Sequence, residues 1–304
     1  MPATLSHRCP NLLLVACLLV PGALLLAPAA AWAREAGGHE PLQVTVSILP
    51  QAWFVEKVGG ERVQVAVLVG PGHSPATYEP VPRQMAALEQ ADLFLSAGVP
   101  FERGLLPKIE ALPAAPMVRG PRPAVNHDPS DGHHHDHGHD PHTWLDPRQA
   151  AALADTIAAV LTELDPVGAR EYASRLTALQ AELARLDRDI RKLLVCCPGG
   201  RFLVFHPAFG HFATAYGLTQ IAVEAGGHEP GPRQLATVID TAREAGLTTV
   251  VVQPQFSRRS AETVAEAIGG RVVVLDPLAP DYGTNLRHIA AALAEILQAA
   301  KGKP

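Results

Sequence analysis

Between Gln43 and Ser96 the chain sets short runs of alternating apolar and polar residues between longer runs of helical spacing. Val44, Val46 and Ile48 alternate with Thr45 and Ser47, the period of a strand. A helical stretch with Trp53, Phe54 and Val58 follows, closed by Gly59-Gly60. Val63 to Val69 reads as a second strand and leads into a Gly- and Pro-bounded loop from Gly70 to Pro80. Pro82 opens a helix through Met85 and Leu88 that ends near Ala91, and Asp92 to Ser96 is a third strand. Strands alternating with helices at this spacing predict a parallel-sheet α/β lobe.

Further along, Asp146 followed by Pro147, with Gln149 third after the aspartate, predicts a helix N-cap, a first-turn proline and a capping-box partner. Ala151, Leu153, Ile157, Val160 and Leu161 continue that helix. A longer one follows. Val167, Tyr172, Leu176, Leu179, Leu183, Leu186, Ile190 and Leu193 recur at steps of mostly three and four, opened by Asp165-Pro166 and ended by Pro198-Gly199-Gly200. About 29 residues at this rise span roughly 43 Å, which suits a rigid helix joining two lobes. Strand patterning then resumes at Arg201–Phe205, Ile221–Val223, Thr248–Val252 and Arg271–Leu275.

The resumed pattern repeats the first. Glu229-Pro230-Gly231-Pro232-Arg233-Gln234-Leu235-Ala236 matches Glu79-Pro80-Val81-Pro82-Arg83-Gln84-Met85-Ala86 at six of eight positions. In both copies a helix and then a strand follow, so the chain carries an internal duplication. The expected organisation is a leader over residues 1–33, an α/β lobe over 34–164, a linking helix over 165–195 and a second α/β lobe over 196–304. Two such lobes make a cleft, and ligand sites in parallel sheets lie beyond the carboxyl ends of the strands.

The leader assignment rests on His7 and Arg8, an apolar run from Leu12 to Ala30, and Ala31-Trp32-Ala33, which together read as a secretory signal peptide cut after Ala33. Leu14-Val15-Ala16-Cys17 resembles a lipoprotein box, but the apolar stretch runs well past Cys17, so lipid anchoring there is not expected. The mature chain is therefore expected to be soluble and exported, to the periplasm; separately, it is expected to act as a monomer. Cys9 and Cys17 leave with the leader, and adjacent Cys196 and Cys197 read as small packed residues. A formal charge of −5 and the lack of any basic tract argue against a nucleic-acid partner.

Chemistry concentrates between His127 and Pro147, which hold seven of the chain's 14 histidines. From His127 to Asp140 there is no large aliphatic residue, so this stretch predicts a solvated, His- and Asp-rich loop. His133, His134, His135, His137 and His139 make it an auxiliary metal-collecting segment, since neutral imidazole is a good ligand for zinc, copper and nickel. His142 differs, lying on a short segment between an Asp-Pro turn and Trp144 just ahead of a helix start. Such rigidity suits a fixed ligand. Three more candidates fall at strand ends: His206 after Phe205, His73 in the loop after Val69, and Asp281 past the last strand. Taken singly each has a plainer reading: a hydrogen-bonding core histidine, an exposed turn residue, a helix cap. Taken together, His73, His142, His206 and Asp281 make a zinc-like set. His211 and His228 read as outer or rim residues.

These segments resemble the metal-binding solute-binding proteins of ABC uptake systems for zinc and manganese. The resemblance runs through Asp140-Pro141-His142-Thr143-Trp144-Leu145-Asp146-Pro147, Phe205-His206-Pro207-Ala208-Phe209-Gly210, Glu229-Pro230, and Asp276-Pro277-Leu278 ahead of Asp281. It implies two lobes bridged by a rigid helix, Zn2+ (or Mn2+) held between them, a His-rich loop of the zinc type, and delivery to a permease with its ATPase subunit. It carries the ligand role onto His142, His206 and Asp281. The family's usual first ligand falls at Ala76 in this chain, so the expectation is that His73 substitutes, or that water or Glu79 completes the shell. Two rival readings are a zinc hydrolase, which lacks a general-base motif here, and a metal buffer or adhesin without a transporter. The chain has no Walker motif and cannot power transport itself.

Overall fold

A computed structural model of the chain describes residues 40–122, 140–224 and 231–301. The leader, the His-rich residues 127–139, His228 and the Glu229-Pro230 pair lie outside the described residues.

The first sheet is built from β1 (Leu42–Ile48), β2 (Val63–Val69), β3 (Leu93–Leu95) and β4 (Met117–Arg119) in the order β2-β1-β3-β4, and every pairing is parallel. Central β1 is buried on both faces, with even Thr45 and Ser47 shielded. β2 at the edge keeps Gln64 and Ala66 in solvent while Val63, Val65 and Val67 pack inward. This contrast is what a covered parallel sheet demands of its centre and edge. Helices α1 (Leu49–Gly59), α2 (Pro82–Glu89) and α3 (Glu102–Glu110) connect the strands. α3 was not expected from the pattern, and it contains Pro107.

After α4 (Pro147–Leu164) comes the linking helix α5 (Ala169–Leu194), preceded by a tight turn over Pro166–Gly168. Two positions depart from the expected stripe. Val167 sits in that turn and is 86% exposed, and Leu193 is largely exposed while Leu194 is buried. Four residues beyond Ile190 the apolar face is reached at 194, so the helix turns Leu193 outward. The buried stripe is Tyr172, Leu179, Leu183, Leu186, Ile190 and Leu194. It packs against α1, α4 and the C-terminal helix. Burying each of the leucines is worth about 2 kcal/mol. Cys197 is buried in the turn that follows, and Cys196 is half-buried.

The second sheet repeats the first: β5 (Arg201–Val204), β6 (Thr219–Ala222), β7 (Thr249–Val252) and β8 (Arg271–Val274) in the order β6-β5-β7-β8, all parallel. Its helices are α6 (Gly210–Ala215), α7 (Pro232–Glu244), α8 (Arg258–Ala267) and α9 (Tyr282–Lys301). α2 and α7 both begin at the second proline of the duplicated motif, Pro82 and Pro232. Strand alternation divides the core. Phe202, Val204 and Val251 face the large cluster that includes α5 and α9, whereas Leu203, Val250 and Val252 face a smaller one beneath α7 and α8. The large cluster runs without a break from β1 through α5 to α9, so one apolar core ties both sheets to the linking helix.

Candidate metal centre

Asp146 caps α4 as expected, its side chain accepting from the Arg148 backbone N–H at 3.0 Å, with Pro147 in the first turn. Gln149 is not the capping-box partner. Its amide nitrogen instead donates to His211 Nδ1 at 2.9 Å. The preceding residues form a short turn over Thr143–Leu145 that His142 opens. Trp144 anchors this turn: its indole donates to the Pro277 carbonyl at 2.9 Å, and the Tyr282 hydroxyl donates to the Trp144 carbonyl at 2.6 Å.

Asp140 holds His142 twice. Its Oδ1 accepts from the His142 backbone N–H at 3.0 Å and from ring Nδ1 at 2.6 Å. An ionised carboxylate can only accept, so Nδ1 carries the proton and Nε2 keeps its lone pair. Burial pushes the His142 pKa down, against the opposing pull of Asp140, so the ring stays neutral below the usual imidazole range. Burial works to raise the Asp140 pKa, but the hydrogen bond and charge of His142 outweigh it and hold the carboxyl below its ordinary value.

His206 is built alike from the second sheet. It follows Phe205 at the carboxyl end of β5, where Gln253 bonds its backbone N–H at 3.3 Å and its carbonyl at 2.7 Å. Its ring stacks on Phe256 with centroids 4.7 Å apart and planes 20° apart, and its Nδ1 lies 3.1 Å from Glu224 Oε2. Again a carboxylate occupies Nδ1 and leaves Nε2 as the donor. The His142 and His206 rings meet edge to face with centroids 5.3 Å apart. Two imidazoles, each on its own carboxylate, are a familiar arrangement for orienting and strengthening metal-binding nitrogens.

His211 supports from outside. Its Nε2 donates to the Asp140 carbonyl at 2.9 Å while Nδ1 accepts from Gln149, so both ring nitrogens are occupied. Gly210 lets Asp140 come close: a Cβ there would stand 2.6 Å from Asp140 Oδ2 and 3.0 Å from Gln220 Nε2.

The two remaining candidates lie apart from this pair. Asp281 is exposed at the start of α9, with Oδ1 accepting from the Thr284 N–H at 3.2 Å. It precedes Tyr282, whose hydroxyl reaches the same turn that carries His142. His73 is exposed in the first-lobe loop, with Nδ1 3.2 Å from the Pro71 carbonyl and its ring edge-on to Tyr78 at 6.0 Å. Glu79 in the same loop is also exposed. Among the described residues no group of three or more His, Cys, Asp or Glu side chains is drawn together closely enough to hold a metal ion. Sequence reasoning missed the parts played by Asp140, Glu224 and Gly210. A signal existed for Asp140, two residues from His142 across a proline; Glu224 reaches His206 only through strand pairing.

Two duplicated parallel α/β sheets on one long helix, with a histidine pair at strand and turn ends, define a two-lobed binding protein. The family model for ZnuA, "Zinc-uptake complex component A periplasmic", matches residues 44–296, and the chain belongs to that family. A putative metal-binding protein of Chlamydia muridarum is 30% identical over 255 residues, covering 84% of this chain and 91% of that protein. The high-affinity zinc uptake system protein ZnuA of Paracoccus denitrificans is 29% identical, covering 93% of this chain and 100% of the relative. A solved crystal structure of ZnuA is 40% identical and superimposes with a TM-score of 0.77, covering 84% of this chain and 99% of its own.

Proposed function

We propose that this chain captures zinc outside the cytoplasm and delivers it to an ABC permease and its ATPase. The observation that carries the reading is the His142–His206 pair, each ring holding a carboxylate on Nδ1 and presenting Nε2. Neutral imidazole nitrogen with carboxylate support suits zinc better than the oxygen-rich sets that manganese prefers. Membership of a zinc-uptake family, and the zinc uptake named for the Paracoccus relative, support the same metal.

In this reading Asp281 adds a carboxylate next to Tyr282, whose hydroxyl donates to the Trp144 carbonyl of the turn that follows His142. His73 adds a third imidazole once the Gly70–Pro80 loop carries it from Tyr78 to the pair. Its Nδ1 already faces a carbonyl, leaving Nε2 to coordinate. Four protein donors leave no open position for an activated water, so the site binds and releases without chemistry. The leader over residues 1–33 exports the chain, the His-rich segment collects metal with lower affinity, and the chain acts as a monomer.

Metal analysis of the protein taken from its native compartment tests the reading. About one zinc per chain is expected; manganese in that place, or no metal, would overturn it.

A further inference from the structure

Glu224 lies just past β6, where its backbone N–H donates to the Phe205 carbonyl at 2.9 Å. The residue is only 3% exposed. One carboxylate oxygen, Oε2, faces His206 Nδ1 at 3.1 Å; the other, Oε1, is buried and has no hydrogen-bond partner among the described residues. A carboxylate withdrawn from water with half its acceptors unmet is costly to the fold. Core packing alone gives no reason to keep it there, since an uncharged side chain of the same size would fill the space at lower cost.

Its neighbours give that reason. Phe256 stacks on the His206 face and fixes the plane of the ring, and Gln253 bonds the backbone on both sides of the ring's attachment. What these contacts leave free is which nitrogen carries the proton and which edge of the ring is presented. Glu224 determines both, because an ionised carboxylate accepts only from an N–H. A cation bound at Nε2 would also place a positive charge one imidazole away from the buried anion, offsetting its cost in the loaded state.

We propose that Glu224 is a positioning residue for metal capture, fixing the His206 tautomer and strengthening Nε2 as a donor to a divalent cation that prefers imidazole. It touches the metal only through His206, and the inference rests on the zinc-capture reading above. The pairing parallels Asp140 with His142 but is set up independently, from strand pairing in the second sheet instead of a local turn.

The test compares the mature wild-type chain with Glu224→Gln, which keeps volume and a hydrogen-bond acceptor but removes the charge. Zinc affinity is expected to fall about 10- to 100-fold in the variant. In the Co2+-loaded protein, the exchangeable Nδ1 proton of His206 should give a shifted NMR signal that moves or vanishes in Glu224→Gln, while that of His142 stays. Thermal unfolding of the metal-free variant at or above the wild-type temperature would show that the loss is not misfolding. Unchanged affinity together with an unchanged His206 signal would overturn the proposal. Should the variant fail to fold, nitrogen NMR of metal-free wild-type histidines decides: His206 protonated on Nδ1 supports the assignment, and on Nε2 refutes it. A wild-type chain whose zinc binding does not involve His206 would refute the capture reading itself, a result separable from a silent Glu224→Gln.

Discussion

At the scale of residues, the site depends on which nitrogen of each imidazole holds its proton. His142 and His206 both spend Nδ1 on a carboxylate, and so both offer Nε2. Protons compete with metal for Nε2, so the pH profile follows directly. Burial keeps the His142 pKa below the ordinary imidazole value, which leaves its Nε2 unprotonated and able to bind throughout the neutral range. Zinc affinity should therefore stay nearly level through the neutral range and fall only below the ordinary imidazole range, where the His142 ring takes up its proton. Calorimetric titration across that range checks it; a level affinity down to about pH 5 would point to an oxygen-dominated site. His142 and His206 were legible in the sequence as candidates because each stands beside an unmistakable boundary, a helix start and a strand end. Asp140, Glu224 and Gly210 were less so, since their roles depend on which oxygen meets which ring across a turn or between strands. His73 and Asp281 read equally well as ligands, and in the structure they lie apart from the pair, His73 beside the Pro71 carbonyl and Asp281 accepting from the Thr284 N–H.

At the scale of elements, periodicity found those whose burial is simple. β1 and β2 fall where the alternation puts them, and the duplicated motif begins a helix at Pro82 and again at Pro232. α3 escaped because Pro107 lies inside it and prolines at 100, 113 and 116 punctuate its surroundings, masking the helical period. β4 spans only Met117–Arg119, too few residues to show alternation. Gln149 has the spacing of a capping-box partner, but a histidine 62 residues on competes for its amide. The linking helix carries the clearest energetic expectation. Leu186 is 1% exposed within the core that joins both sheets. Leu186→Ala should cost about 2–5 kcal/mol in denaturant unfolding, as a buried leucine that leaves a cavity does. A cost under about 1 kcal/mol would mean that the helix is not the spine of the molecule.

At the scale of the whole molecule, duplication explains why the site lies where it does. Two sheets with the same strand order each direct their strand ends toward loops, and α5 ties the sheets into one core. Each half then supplies one histidine of the pair on its own terms: the turn before α4 gives His142 and the end of β5 gives His206, while Asp281 at the entrance to α9 and His73 in the loop after β2 lie apart from them. The fold was legible because duplication and alternation are repeated signals. The histidine pair was not, because the His142 segment is tied to the one that follows His206 by contacts far apart in sequence, His211 to the Asp140 carbonyl and to Gln149, separated by 71 and 62 residues. The most direct test of the account is zinc titration of the mature chain beside His142→Ala and His206→Ala. One tight site in the wild type, weakened at least about 100-fold in each variant, is the predicted result; wild-type affinity in either variant would contradict it.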